Sequence, residues 1–210
     1  GAVSFALSRD GRQLALASGG TDADLWRMDL GDPASSQRFA PSTLWEGGGA
    51  YSPDGMRVAF SSNRGGSREI WVADASGDNA QPLTTFGGPV AGSVRWSPDG
   101  HEIVFDGRPT GNSEVFIVPA DGGAVRQLTK APGEDARPAF SPDGLSIYFS
   151  SDRSGRNEIW RMNPDGSAPT QVTHSGGTVA VVAADGRLIY YKRDSRTGPI
   201  YTIRPDEIGG

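Results

Sequence analysis

Apolar and polar residues alternate in short segments along this chain, and the segments recur in blocks of about 44 residues. One segment of each block is apolar at its first and third positions, at 14–16, 58–60, 103–105, 147–149 and 189–191. A later segment ends on an aromatic residue, at Trp26, Trp71, Phe116, Trp160 and Tyr201. Alternation with a period of two, bounded by turn residues, is typical of short β-strands. Four such segments per block predict the blades of a β-propeller, and we interpret the aromatic column as packing between blades.

A turn motif recurs at the same place in every block. Ser-Pro-Asp-Gly occupies 52–55, 97–100 and 141–144, with weaker copies at 8–11 and 183–186. Serine and proline suit the first two positions of a type I turn, aspartate tolerates the third, and glycine suits the next, where φ is positive. The motif therefore predicts the tight turn that joins the first strand of a blade to the second.

The spacing of these signals predicts an all-β fold, a β-propeller of four-stranded antiparallel blades with about five blades visible. The repeats lie at about 3–47, 48–92, 93–136, 137–178 and 179–208, within one domain or fragment of residues 1–210. The outer strand of the first blade, around 37–39, is weak, and the last blade lacks its outer strand. Three arrangements fit: a five-bladed ring with a three-stranded last blade, a fragment of a larger ring, or two copies paired through their open ends. We favour the fragment.

The best-preserved repeat resembles a known family. Phe140 with the turn motif, the segment 147–153, Glu158-Ile159-Trp160 and Val172-Thr173 are similar to the WD-like repeat of TolB-type propellers. This resemblance implies a non-catalytic scaffold, as in periplasmic TolB, in sensor regions of winged-helix transcriptional regulators, or as the gate of a serine peptidase. The fifth repeat most resembles the regulator sensor regions. A function carried over from any of these rests on analogy of fold.

Composition narrows the class of partner. The chain holds 30 Gly and 15 Pro, which suits short strands and tight turns, and its net charge of −5 argues against nucleic acid. It has no Cys, which excludes disulfides and cysteine–zinc sites. No apolar run reaches the length of a membrane span, so this region predicts no membrane contact. The N-terminus lacks the features of a signal peptide, and we interpret the chain as a piece of something longer.

The motifs of common enzyme sites are missing from the sequence. There is no Gly-x-Ser-x-Gly elbow and no Walker-type phosphate loop. We also interpret the inner strands as carrying no carboxylate that projects into the channel, as a glycosidase would need. His101 and His174 lie far apart and are interpreted as solvated loop residues. Glu69, Glu114 and Glu158 open the third strands, and we interpret them as loop-closing partners of Arg64, Arg108 and Arg153. The sequence therefore predicts no catalytic residue, no metal and no cofactor.

The longer connections indicate where a partner binds. Loops from second to third strands and loops between blades all reach one face of a propeller, which we call the long-loop face. The candidate binding residues on it are Arg64, Arg95, Arg108, Glu134, Asp135, Arg137 and Arg153. The predicted function is binding of a protein, peptide or small ligand, in a periplasmic or other extracytoplasmic location. The alternative is an accessory propeller of a larger enzyme, such as a propeller-gated serine peptidase.

Overall fold

The computed structural model of the chain describes residues 2–18, 23–88, 91–193 and 198–205, which form nineteen β-strands in five antiparallel sheets. The first two sheets contain β1 (Ala2–Leu7), β2 (Gln13–Ser18), β3 (Asp24–Asp29), β4 (Asp32–Arg38), β5 (Glu46–Tyr51), β6 (Arg57–Ser62), β7 (Glu69–Asp74) and β8 (Gln81–Pro82). The next two contain β9 (Ala91–Trp96), β10 (Glu102–Gly107), β11 (Glu114–Pro119), β12 (Arg126–Gln127), β13 (Asp135–Phe140), β14 (Ile147–Ser151), β15 (Glu158–Met162) and β16 (Thr170–Gln171). The last contains β17 (Val179–Val182), β18 (Ile189–Lys192) and β19 (Ile200–Ile203).

Each sheet is one propeller blade, and its strands lie side by side in the order of the chain. The first four blades have four strands, and the last blade has three among the residues that the structure describes. The predicted all-β propeller, with its incomplete last blade, is confirmed. The outer strand that the sequence indicates only weakly in the first blade is present as β4, which spans seven residues, whereas β8, β12 and β16 span two each.

The hydrophobic core lies between blades. Each of four buried clusters joins two consecutive blades, as where Ile117 of the third blade packs with Phe149 of the fourth, both 0% exposed. The interpretation of the aromatic column is confirmed at four of its five positions, namely Trp71, Phe116, Trp160 and Tyr201. Trp26 of the first blade is half-buried, with the Arg38 guanidinium 6.0 Å from its ring centroid.

Consecutive blades also pack along their inner strands, β1 on β5, β5 on β9, β9 on β13 and β13 on β17. Among the described residues, β17 has no comparably extensive packing on β1. On the last blade, Val181, Tyr190 and Ile200 are exposed by 56%, 41% and 67%. Their apolar sheet face therefore lacks the cover that each inner blade receives from its neighbours.

The predicted tight turn appears in detail in the second blade. The Gly55 N–H donates to the Ser52 carbonyl at 2.9 Å, and Gly55 has a φ of 74°. The Ser52 hydroxyl donates to Asp54 Oδ1 at 2.5 Å, and the Met56 N–H donates to the same oxygen at 3.0 Å. Four turns share the serine–aspartate bond, and this bond, followed by the backbone hydrogen bond, lowers the pKa of Asp10, Asp54, Asp99 and Asp143.

We expect the triple variant Ser52→Ala, Ser97→Ala, Ser141→Ala to lose less stability on acidification than the parent chain. A lowered folded pKa gives a contribution that is complete above the ordinary value of 3.8 and is lost as the pH falls toward the folded value. Urea unfolding at about pH 6 and about pH 3 measures this loss for both proteins. Carboxylates with raised pKa values are common to both and cancel in the difference. Equal losses would show that the serine bonds contribute nothing to the pH dependence.

Candidate functional site

The inner strands surround a central channel, and a cavity of about 370 Å³ opens in it. Its walls include Gly48 of β5, near the start of that strand, and Val179, which begins β17, so the cavity lies at the long-loop face. Side chains from several blades therefore meet in one space. We call six of its lining residues the channel site: Trp45, Gly48, Ser93, Arg95, Arg137 and Val179.

A β-bulge interrupts the inner strand in each of the second, third and fourth blades. Gly48 has a φ of 66°, and Ser93 and Arg137 at the corresponding positions have φ values of 50° and 54°. The pairing of each inner strand with its neighbour shifts register at this place. A non-glycine residue in the left-handed region costs about 1–3 kcal/mol, and such strain clusters at functional sites. Bulges also redirect nearby side chains, which here brings Arg95 and Arg137 to the wall of the cavity.

The two channel arginines lack carboxylate partners. The Arg95 Nη1 donates to the Val94 carbonyl at 2.7 Å, and the Arg137 Nη1 donates to the Thr178 carbonyl at 3.0 Å. Both side chains are exposed to the channel, and no carboxylate oxygen of the described residues lies within 4.0 Å of either. Desolvation by the channel walls lowers the pKa of Arg95, and the Asp106 charge opposes this. The site therefore presents two guanidinium groups without a direct ion-pair partner, although Asp106 is near enough to interact with both.

Asp106 of β10 lies behind this wall. Burial raises its pKa, while the nearby Ser93 hydroxyl and the Arg137 backbone and charge oppose the rise. Among the described residues, the Ser113 hydroxyl donates to Asp106 Oδ2 at 3.5 Å, and the buried Oδ1 has no hydrogen-bond partner. The matching positions in the second and fourth blades hold Ser61 and Ser150, whose hydroxyls donate to backbone carbonyls of the next blade at 2.5 and 3.3 Å. Aligning the repeats would have revealed this exchange of serine for aspartate, which the sequence analysis missed.

Trp45 lines the cavity, and the cationic side chain of Arg68 stacks on it. The Arg68 guanidinium lies 3.7 Å from the ring centroid of Trp45, a cation–π distance, and burial lowers the pKa of Arg68. Like the channel arginines, Arg68 has no carboxylate of the described residues within ion-pair distance. The sequence analysis missed both residues, because neither occupies a repeated column.

The seven residues predicted to form the binding face fall into three settings. Arg95 and Arg137 line the cavity. Arg108 and Glu134 form an ion pair at 2.5 Å whose side chains are 41% and 39% exposed. The remaining three residues are held in largely buried ion pairs, Arg64 with Glu46 and Arg153 with Asp135. The structure thus brings two of the seven together in the channel and places three in structural contacts.

The interpretation of Glu69, Glu114 and Glu158 as partners of Arg64, Arg108 and Arg153 is wrong. Each of these glutamates instead accepts a hydrogen bond from a threonine that follows the outer strand of its own blade, namely Thr84, Thr129 and Thr173. The same threonine hydroxyls accept the N–H of the residue after each glutamate, at 2.9–3.0 Å. The arginines instead form ion pairs with Glu46, Glu134 and Asp135, which lie at the start of an inner strand or just before it. These acids lie beside the loop of their arginine once the strands have assembled.

Neither histidine lies in the channel site, and both His101 and His174 are exposed. Within the described ranges, no three His, Asp or Glu side chains converge as a metal site would require. The described residues also include no helix with the length and hydrophobicity needed to cross a bilayer. The chemistry available at the channel site is therefore hydrogen bonding and charge from arginine, with an aromatic surface beside it.

Comparison with protein families gives a match over more than half of the chain. A family model described as TolB beta propeller domain matches residues 88–206. The Tol-Pal system protein TolB of Anaeromyxobacter dehalogenans (strain 2CP-C) is 36% identical over 81 residues, which is 36% of this chain and 17% of that protein. The match to this relative therefore spans about a sixth of its length.

Solved structures show the same likeness at the level of the fold. The putative TolB from Agrobacterium tumefaciens superposes with a TM-score of 0.82 at 26% identity, over 97% of this chain and 76% of that one. A puromycin hydrolase superposes with a TM-score of 0.71 at 18% identity, over 97% of this chain and 37% of that one. At this identity, the second likeness is one of fold alone.

Proposed function

Because this chain belongs to the TolB beta propeller domain family, we propose that it is a non-catalytic propeller that binds a protein or peptide partner at its channel site. One observation carries this proposal. Two arginines without carboxylate partners, Arg95 and Arg137, line the cavity together with the half-buried Trp45, and a third, Arg68, stacks on the Trp45 ring. Arginine and tryptophan are the residues most enriched where proteins bind one another.

The scaffold suits this role because the strands hold the site. The channel residues lie on or beside inner strands whose other faces pack in the core between blades. Side chains on strands are positioned more precisely than side chains on long loops. A partner would therefore bind a surface that is already formed. Binding would cost less conformational entropy than it would at a site whose loops become ordered only on binding.

An extracytoplasmic location is part of the proposal. The relative from Anaeromyxobacter dehalogenans is named as a protein of the Tol-Pal system, and that name supports a protein partner in the same setting.

Pairing of two chains through their open ends stays a prediction. The solution mass measured by light scattering tests it directly.

An accessory role in a larger enzyme is the competing proposal. It draws on the puromycin hydrolase likeness, in which this chain corresponds to 37% of the other protein. Hydrolysis of a peptide substrate by the chain itself, abolished by a single substitution in it, would contradict the non-catalytic role.

A peptide library displayed on phage tests the binding role. Peptides selected on the purified chain are expected to lose about tenfold or more in affinity to Trp45→Ala and to Arg68→Gln. The matched control is Met56→Ala, since Met56 is 68% exposed on a tight turn at the opposite face. Its affinity should equal that of the parent chain. Equal binding by all three variants would move the site elsewhere, and failure to select any peptide would overturn the proposal.

A further inference from the structure

The channel arginines differ in their partners from the arginines that form ion pairs. Among the residues that the structure describes, seven arginines make ion pairs with carboxylates at distances up to 3.2 Å. Arg95 and Arg137 instead each donate one hydrogen bond to a backbone carbonyl. A guanidinium has five N–H donors in a planar fork, so most donors of both groups remain for a ligand.

The backbone holds Arg137 at a conformational cost. Its φ of 54° lies in the left-handed region, where the second blade has Gly48 at 66°. Glycine adopts this conformation without strain, and arginine does not. The fold accommodates glycine at the corresponding position of the second blade, so the fold itself does not require an arginine here. We therefore attribute a role outside the fold to the guanidinium of Arg137.

Charge and size select the ligand. The two guanidinium groups carry two positive charges, which Asp106 behind them reduces to one when it is ionised, and burial raises the pKa of Asp106 and so opposes that ionisation. The site is therefore positive whether Asp106 is ionised or neutral, and an anion is the ligand that this charge selects. The cavity of about 370 Å³ admits a side chain or a chain end, and its wall includes the apolar Pro138 and Ala180. An apolar wall strengthens a charge-assisted hydrogen bond, because the local dielectric is low.

We propose that Arg95 and Arg137 clamp a carboxylate group of an acidic peptide segment inside the channel. This proposal rests on the proposed function and names the chemistry that the channel recognises. The planar guanidinium fork of each arginine matches the two oxygens of a carboxylate. A free small carboxylate carries the same group, so the test must separate it from a peptide.

Nuclear magnetic resonance titration of the isotope-labelled chain with defined probes provides the test. The probes are the acetylated peptide amide Ala-Glu-Ala-Glu, its counterpart Ala-Gln-Ala-Gln, glutarate and inorganic phosphate. The glutamate peptide should bind the parent chain and should bind Arg95→Gln and Arg137→Gln about tenfold or more weakly. The glutamine peptide should bind all three equally weakly.

Two further variants make the result decisive. Arg137→Gly removes the guanidinium and also relieves the left-handed strain, so it should be at least as stable as the parent chain while losing affinity for the glutamate peptide. Arg187→Gln removes an exposed charge at the tight turn between β17 and β18, on the face opposite the long-loop face. This variant should bind the glutamate peptide as the parent chain does.

Each other outcome overturns a defined part of the proposal. Glutarate binding as tightly as the glutamate peptide would make the ligand a free carboxylate. Tighter binding of inorganic phosphate would replace the carboxylate clamp with a phosphate site. If no carboxylate probe binds while library peptides still depend on Trp45, the clamp fails and the proposed function stands.

Discussion

Replacing Arg153 by methionine is expected to lower the free energy of unfolding by about 3–5 kcal/mol, because the substitution leaves a buried carboxylate without its counter-charge. The Arg153 Nη2 lies 2.6 Å from Asp135 Oδ2, and the two side chains are 14% and 0% exposed. The guanidinium also lies 4.9 Å from the ring centroid of Trp160. Urea unfolding followed by tryptophan fluorescence measures the loss.

A matched pair elsewhere in the chain isolates the effect of burial. Arg108 and Glu134 form an ion pair of similar length, but both side chains are about two-fifths exposed. Arg108→Met is therefore expected to cost less than about 1 kcal/mol. The double variant Arg153→Met, Asp135→Leu removes both buried charges and should recover most of the stability. If Arg153→Met costs no more than Arg108→Met, the buried pair does not stabilise the blade.

Most of the fold could be predicted from the sequence repeat. The turn motif at 52–55, 97–100 and 141–144 fixes where each first strand ends, and the alternating segments between turns fix the second and third strands. The outer strands were harder to place. β4 is exposed along most of its length, so it lacks the apolar alternation that marks a strand in the sequence.

The candidate site was only partly visible in the sequence. Arg64 and Arg95 look alike as charged residues in a polar context, yet one is held in a largely buried ion pair and the other lines the channel. The difference depends on Glu46, which lies 18 residues before Arg64 in the chain and reaches it only after the sheet forms. Burial by partners that are distant in sequence cannot be inferred from local composition.

Asp106 is a second residue whose surroundings could not be inferred from local sequence. It sits in a column that holds serine in two other blades. Its surroundings come from two bulges, one in its own blade at Ser93 and one in the next blade at Arg137. Left-handed serine and arginine have no signature in a single sequence, because most such positions are glycine. The channel site therefore required the structure.

Gly166→Ala is expected to destabilise the chain by about 2–4 kcal/mol, which combines the strain of a positive φ with a clash between blades. Gly166 has a φ of 89° in the turn between β15 and β16. A Cβ added there would lie 2.6 Å from the Leu128 carbonyl oxygen and 3.2 Å from the Leu128 Cα, both on the backbone of the preceding blade. Urea unfolding and the melting temperature measure the cost.

Gly144 is the control for this substitution, because it shares the backbone strain without the clash. Its φ is 74°, and the nearest atom to an added Cβ is Pro98 Cδ at 3.7 Å, an ordinary contact. Gly144→Ala should therefore cost only about 1 kcal/mol. The excess cost at Gly166 measures how tightly the fourth blade is seated on the third. Equal costs at the two glycines would mean that the turn moves away from Leu128 freely, so that close approach of backbones does not fix the spacing of the blades.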